Sequence, residues 1–290
     1  MQLEIQELTK NYKNKQALRG ITLNLVPGIY GILGPNGAGK STLMNILTGN
    51  LSQSGGRILL DGEDIRAMGS NYHSRLGYCP QQHTFYPSFS AEQFLFYISS
   101  LQGLSRKKAM ERIDWVLDLF ELSDVRRKPI YSLSGGMKQR LLIAQSLIHD
   151  PDILILDEPT SGLDPQQRIA VRNLIGEIAS KKIVLISTHV VQDVEYIARE
   201  LILLSNGQVI RKATPQELLH DLEGKVWEIP VTVDNLKDAH ELGTVCGIAQ
   251  RPEGMTVRIL CNALQQCQGK SVSPNLEDVY LRYFGAMEGL

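Results

Sequence analysis

The segment Gly34-Pro-Asn-Gly-Ala-Gly-Lys-Ser-Thr42 carries the most specific chemistry in the chain. Gly34, Gly39, Lys40 and Ser41 satisfy G-x-x-x-x-G-K-[ST], the spacing of a loop that wraps phosphate. Glycines let backbone N–H groups close around phosphate oxygens with no side chain in the way. A helix starting at the end of the loop adds unpaired donors and the positive end of its dipole. Lys40 is expected to reach the β- and γ-phosphates as a point charge, and the Ser41 hydroxyl to ligate Mg²⁺. These residue types in this order point to a nucleoside triphosphate site.

Two further groups suit hydrolysis. Asp157-Glu158-Pro159 follows the apolar run Ile153 to Leu156, and Ser187-Thr188-His189 follows the run Ile183 to Ile186. Continuous apolar runs of this length suit strands buried on both faces of a parallel sheet, whose carboxyl ends hold ligand chemistry. Asp157 can then hold the Mg²⁺ shell, Glu158 can orient or deprotonate an attacking water, and His189 can contact a γ-phosphate or position that water. Between these groups, Leu133-Ser-Gly-Gly-Met-Lys-Gln-Arg140 places Ser134 as an N-cap before Met137, Leu141, Ala144 and Ile148 at helical spacing. Its bare glycines make a second phosphate cradle at a helix N-terminus. One nucleotide uses both cradles only if the fold joins them, whereas in a two-fold dimer each cradle can serve the partner's nucleotide.

In this order the motifs resemble those of the nucleotide-binding subunits of ATP-binding cassette (ABC) transporters, over about the first three-quarters of the chain. Gly34 to Thr42, with Asn36, Gly37 and Thr42, is similar to Walker A; Leu133 to Met137, with Ser134, Gly135 and Gly136, to the signature LSGG. Ile153 to Glu158 is similar to Walker B, Ser161-Gly-Leu-Asp164 to the D-loop, and His189 to the switch histidine. The resemblance implies that Tyr12 stacks on adenine and that Gln81 is the Q-loop glutamine near Mg²⁺, with Gln82 as the alternative. It implies a head-to-tail dimer, a homodimer by expectation, in which Ser134 and Gly136 of one protomer close on the γ-phosphate held by Lys40 of the other. Glu158 and His189 are both present, so ATP turnover with Mg²⁺ is expected as well as binding. Ile29 and Ala213 depart from the residues most usual in the family, and neither touches the phosphate chemistry.

The elements that must position these groups follow from pattern. Ile29 to Leu33 reads as the strand before the loop, and Leu43, Ile46 and Leu47 as the helix after it, ended by Gly49. Residues from Ser90 to about His149 read as helical, opened by the capping box Ser90-Ala-Glu-Gln93, with Ala109, Ile113, Val116 and Phe120 on one face. Taken with the resemblance, these elements imply an α/β fold, a P-loop NTPase (RecA-like) core with a parallel sheet, an inserted helical subdomain at about 83–150 and a small C-terminal α/β appendage. Residues 1–217 form the nucleotide-binding domain in this reading, and 218–290 an accessory domain with strands near Val226 to Val233 and Met255 to Leu260. Phe85, Tyr86 and Phe89 are either contacts for a membrane subunit or the subdomain's own core.

Composition bounds the partners. The 290 residues are 43% hydrophobic and carry 30 Lys and Arg against 31 Asp and Glu, a net charge of -1. That balance lacks the basic excess of a nucleic-acid reader. The four cysteines, Cys79, Cys246, Cys261 and Cys267, show no metal spacing and read as ordinary thiols. No targeting segment or membrane span is evident, so if the protein works at a membrane another chain must cross it. The resemblance implies that this other chain is an integral membrane permease, met at the cytoplasmic face. The tail Pro274-Asn-Leu-Glu-Asp-Val-Tyr-Leu281 is similar to tails of bacterial export ATPases for drugs, antimicrobial peptides or ions. Two rival readings stand beside this one: an ABC ATPase acting on nucleic acid or ribosomes, and a regulatory module that binds ATP with little turnover.

Overall fold

Leu3, Ile5 and Leu8 are buried along β1 (Leu3–Tyr12), which pairs antiparallel with β2 (Lys15–Leu25) across a two-residue turn. Glu7, at φ 47°, falls where the pairing slips between Ile5 and Leu8, so a bulge keeps the apolar residues on one face. In the computed structural model, residues 1–81, 85–232, 236–252, 254–261 and 269–285 are described. The chain divides into two compact units, Met1–Arg211 and Lys212–Leu290.

In the first unit the chain continues through β3 (Gly28–Leu33), α1 (Lys40–Leu47), β4 (Gly55–Leu60), β5 (Glu63–Asp64), α2 (Ile65–Met68), α3 (Ser70–His73) and β6 (Leu76–Cys79). Helices α4 (Ala91–Leu101), α5 (Arg106–Leu119) and α6 (Gly135–Ser146) follow. After them come β7 (Ile153–Asp157), α7 (Pro165–Ile178), β8 (Ile183–Ser187), α8 (Gln192–Glu195), β9 (Glu200–Ser205) and β10 (Gln208–Ala213). Two sheets result, one of order β2-β1-β4-β5 and one of order β10-β9-β3-β8-β7-β6. In the second, β6, β7, β8, β3 and β9 run parallel. Every residue of β7 and β8 is buried, as expected for strands covered on both faces. Leu43, Met44, Ile46 and Leu47 of α1 join Leu3, Ile5, Tyr30, Ile155 and Leu185 in one core, which fixes α1 between the sheets.

The expected helical insertion is present as separate helices. Ser90 and Gln93 form the capping box of α4, and Ser105 caps α5, whose Ala109, Ile113 and Val116 are buried. Arg126 clamps the pair, donating to Glu92 at 2.8 Å and Asp114 at 2.6 Å. Ile148 lies beyond the end of α6, which stops at Ser146. Phe85 packs edge-on against the buried Phe94, while Tyr86 stays half exposed and stacks on Phe89.

The second unit holds α9 (Pro215–His220), β11 (Val226–Val231), α10 (Leu236–Leu242), β12 (Gly243–Arg251), β13 (Gly254–Cys261), β14 (Lys270–Ser271) and α11 (Leu276–Phe284). Its sheet has the order β12-β13-β11-β14. Asn275 caps α11, and the fully buried Asp278 takes two hydrogen bonds from Arg258 of β13, at 2.9 and 2.6 Å, which anchors the helix. Cys79 and Cys246 are free thiols, but Cys261 is disulfide-bonded. The reading of ordinary thiols therefore fails at Cys261, because sequence spacing does not reveal which sulfurs a fold brings within bonding range. Val233, Gln82 and Cys267 lie outside the described residues.

Candidate nucleotide site

Residues 34–39 between β3 and α1 are shaped by backbone approaches that exclude side chains. A Cβ on Gly34 would lie 2.1 Å from the Leu204 carbonyl oxygen, and Gly39 has φ +111° with Ala17 O 2.9 Å from where its Cβ would be. The Gly207 amide donates to Ala38 O at 2.8 Å, holding the loop against the turn between β9 and β10. Gly39 offers α1 no side-chain cap, so the first-turn N–H groups of α1 are left for an anion. Lys40 Nζ folds back over its own loop and donates to the carbonyl oxygens of Gly34 and Pro35, the latter at 3.0 Å.

A cleft of about 270 Å³ opens at this point, at the carboxyl ends of the parallel strands. Of the residues singled out from sequence, Tyr12, Asn36, Gly37, Gly39, Lys40, Ser41, Thr42, Gln81, Asp157 and Glu158 all line it. Strand order does this: β8 lies between β3 and β7, with Ile32 and Asp157 each paired to Ser187. Gly34 sits behind the loop, at the close approach to Leu204. Tyr12 is half exposed at the rim, with Lys10 Nζ 5.3 Å from its ring centre.

Asp157 and Glu158 are each 8% exposed, yet their surroundings differ. Burial pushes the Asp157 carboxyl above its ordinary value, opposed by a hydrogen bond from the Ser187 hydroxyl and by the Lys40 charge. Glu158 stands at φ 53°, its N–H donating to Ser187 O at 2.8 Å, which aims its carboxylate away from the strand direction. His189 Nδ1 lies 2.9 Å from Glu158 Oε1. An ionised carboxylate only accepts, so the contact places the proton on Nδ1 and leaves Nε2 available. The His189 side chain is 65% exposed.

His189, Ser134, Gly135, Gly136 and Asp164 are not among the residues lining this cleft, His189 reaching it only through Glu158. Ser134 caps α6 through Met137 N at 3.2 Å, and Asp164 caps α7 through Gln167 N at 2.9 Å. Gly136 and Asp164 share another hollow, with Glu121, Arg140 and Gln167. Lys15 and Ala17 are cleft residues that the sequence reading missed, and Ser187, quoted there without a role, is a third. Lys15 is the register partner of Tyr12 across the β1–β2 turn, and Lys13-Asn14 is the signal that could have placed it. Ser187 is the register partner of Asp157, a pairing that no local pattern carries.

A glycine loop before α1, carboxylates at a strand end two places along the same sheet and a histidine against one of them define a P-loop nucleoside triphosphatase. A family model described as ABC transporter matches residues 18–161. Over 231 residues the chain is 38% identical to the uncharacterized ABC transporter ATP-binding protein YxlF of Bacillus subtilis, covering 79% of this chain and 76% of that protein. It is 33% identical over 304 residues to Nod factor export ATP-binding protein I of Ralstonia nicotianae, covering 98% of this chain and 94% of that one. Among solved structures, cbiO1 of Clostridium perfringens, part of the ABC transporter complex cbiONQ, superposes with a TM-score of 0.69 at 32% identity, over 76% of this chain and 90% of that chain. The chain belongs to the ABC transporter family as an ATP-binding subunit, and it is an ATPase.

Proposed function

We propose that this chain hydrolyses ATP to power export of a drug, antimicrobial peptide or other small solute through a permease carried on a separate chain. Glu158 carries the hydrolytic part of the reading: a nearly buried carboxylate, bonded to His189, in the same cleft as Lys40. Lys40 would exchange its loop carbonyls for phosphate oxygens, and the α1 N–H groups would hold the remaining phosphate charge. Glu158 orients and deprotonates water, while His189 fixes that carboxylate and offers Nε2 to the transferred phosphate. Tyr12 presents a ring face to the base.

The donor set fits Mg²⁺. The Ser41 hydroxyl, the Asp157 carboxylate and the Gln81 side chain line one cleft and offer hard oxygen ligands. No group of three His, Cys, Asp or Glu side chains suited to a metal occurs among the described residues, which agrees with an ion held largely by phosphate and water. The ion, when bound, neutralises charge on the phosphates.

Ser134, Gly135, Gly136 and Asp164 act in trans in this reading, closing on the nucleotide of a second copy in a head-to-tail homodimer. Their separation from the Lys40 cleft supports that assignment. We assign the nucleotide-binding role to residues 1–217 and an accessory role to 218–290, a boundary supported by the division into Met1–Arg211 and Lys212–Leu290 six residues away. Export is favoured because the likeness to a Nod factor export protein spans 98% of this chain and so includes the second unit. Among the described residues no helix is long and apolar enough to cross a membrane, and we place the chain on the cytoplasmic face, peripheral to its permease. Purifying the tagged chain from detergent-extracted membranes tests this: a multi-span protein should accompany it. Recovery with ribosomes or nucleic acid alone would transfer support to the rival reading.

A further inference from the structure

Glu158 and His189 sit on loops after different strands, and the His189 side chain is 65% exposed, so its contact with Glu158 cannot by itself fix its loop. A second link joins the two loops beneath them. The Thr160 hydroxyl, two residues beyond Glu158, donates to Asp193 Oδ2, four residues beyond His189. Both residues are buried, at 2% and 6% exposure. A carboxylate in such a place needs a donor, and the hydroxyl supplies it.

Each end of the link is tied into the turn around its functional residue by short-range hydrogen bonds. On one side Ser161 N donates to Glu158 O at 3.1 Å and Leu163 N to Thr160 O at 3.2 Å, closing the turn around Thr160. On the other, Val190 N donates to Thr188 Oγ1 at 3.0 Å and Asp193 N to Val190 O at 3.0 Å. The same Glu158 turn is gripped from α6, where the buried Gln139 Nε2 donates to Pro159 O at 2.7 Å. The turn bearing Glu158 is thus held by one polar side chain from α8, which follows the histidine loop, and one from the helix that Ser134 caps.

The geometry points to Thr160 and Asp193 as positioning residues that hold the His189 loop in register with Glu158. They act through His189 and touch no substrate. This inference rests on the roles given above to Glu158 and His189.

Glu158→Gln and His189→Ala are measured first in the full chain, with saturating ATP and Mg²⁺. Wild-type rates in both would refute the site assignment itself, whatever the link does. Given losses there, Thr160→Val, which keeps the shape and removes the donor, is expected to lower kcat by about 10- to 100-fold, the scale of a small misplacement of a catalytic group. KM and the Kd for ATP should stay within about twofold, because the phosphate loop is untouched. Thr160→Ser retains the hydroxyl and should restore kcat. In single-turnover measurements on His189→Ala, adding Thr160→Val should cause no further loss. If Thr160→Val does not fold, the double variant Thr160→Ala/Asp193→Ala removes both polar groups and leaves no unpaired carboxylate. A wild-type kcat in the folded variant lacking the hydroxyl, an equal loss in Thr160→Ser, or additive losses with His189→Ala would overturn the proposal.

Discussion

Replacing Glu158 by Gln changes one atom of the hydrolytic group and almost nothing else. The side chain is 8% exposed, and its carboxylate accepts from His189 Nδ1 at 2.9 Å. Glutamine has the same shape, and its amide oxygen can accept that same hydrogen bond. Folding stability should therefore change by no more than about 1 kcal/mol, the scale of one ordinary hydrogen bond. The backbone at φ 53° suits both residues alike. What disappears is the proton acceptor for water, and a positioned general base is worth about 10²- to 10⁴-fold in rate. At 1.36 kcal/mol per tenfold this raises the barrier by about 3 to 5 kcal/mol. Phosphate release at saturating ATP and Mg²⁺ should fall by that factor, while the ATP Kd stays within about threefold because Lys40 and the loop amides remain. An ATP-bound dimer should then accumulate and be visible by light scattering after size-exclusion chromatography. Hydrolysis within about twofold of wild type, with the variant folded and ATP bound, would refute the role given to Glu158.

Lys40→Ala removes the charge whose ammonium now bonds Gly34 O and Pro35 O, and hydrogen bonds to charged groups are worth about 1.5–3 kcal/mol. ATP affinity should fall by about 10- to 100-fold in equilibrium binding, and an unchanged Kd would contradict the cradle assignment. Gly34→Ala would set a Cβ 2.1 Å from Leu204 O, a clash with backbone. A loss of about 3 kcal/mol is expected, read as a lower melting temperature without nucleotide; an unchanged one would mean the loop can shift freely. His149 is half-buried, and burial holds its imidazole below the ordinary 6.5. As pH falls through 6.5 the unfolded chain binds a proton that the folded chain does not, so His149 makes stability decline until the folded imidazole also protonates. His149→Gln should flatten that part of the slope in denaturant titrations between about pH 5 and 7.5, and an identical slope would remove His149 as its source.

Contiguous chemistry was legible in the sequence. The phosphate loop, the Asp157-Glu158 pair, the Ser90 capping box and the Ser134 cap each depend on residues within about one turn or one loop of each other. Their local conformation is set by neighbours along the chain, and the structure starts α1 at Lys40, caps α4 at Ser90 and α6 at Ser134, and ends β7 at Asp157, where the pattern puts them. The antiparallel sheet of β1, β2, β4 and β5 was not read, because alternation in β1 breaks at the Glu7 bulge and the pairing of β1 with β4 joins segments about 50 residues apart. Ser187 beside Asp157, Lys15 beside Gly37, Gln139 on Pro159 and Asp193 on Thr160 are likewise products of folding.

The sequence by itself offered the glycine loop, Lys40 and the Asp157-Glu158 pair as candidate groups for phosphate and water, since residue type and loop conformation are local properties. Tertiary structure decided which of those groups share a cleft. Strand order placed β8 between β3 and β7, so Lys40, Asp157 and Glu158 converge while Ser134 and Gly136 stay elsewhere. Strand order is chosen by burial of faces and pairing of edges summed over the whole sheet, and no short stretch of residues encodes that sum.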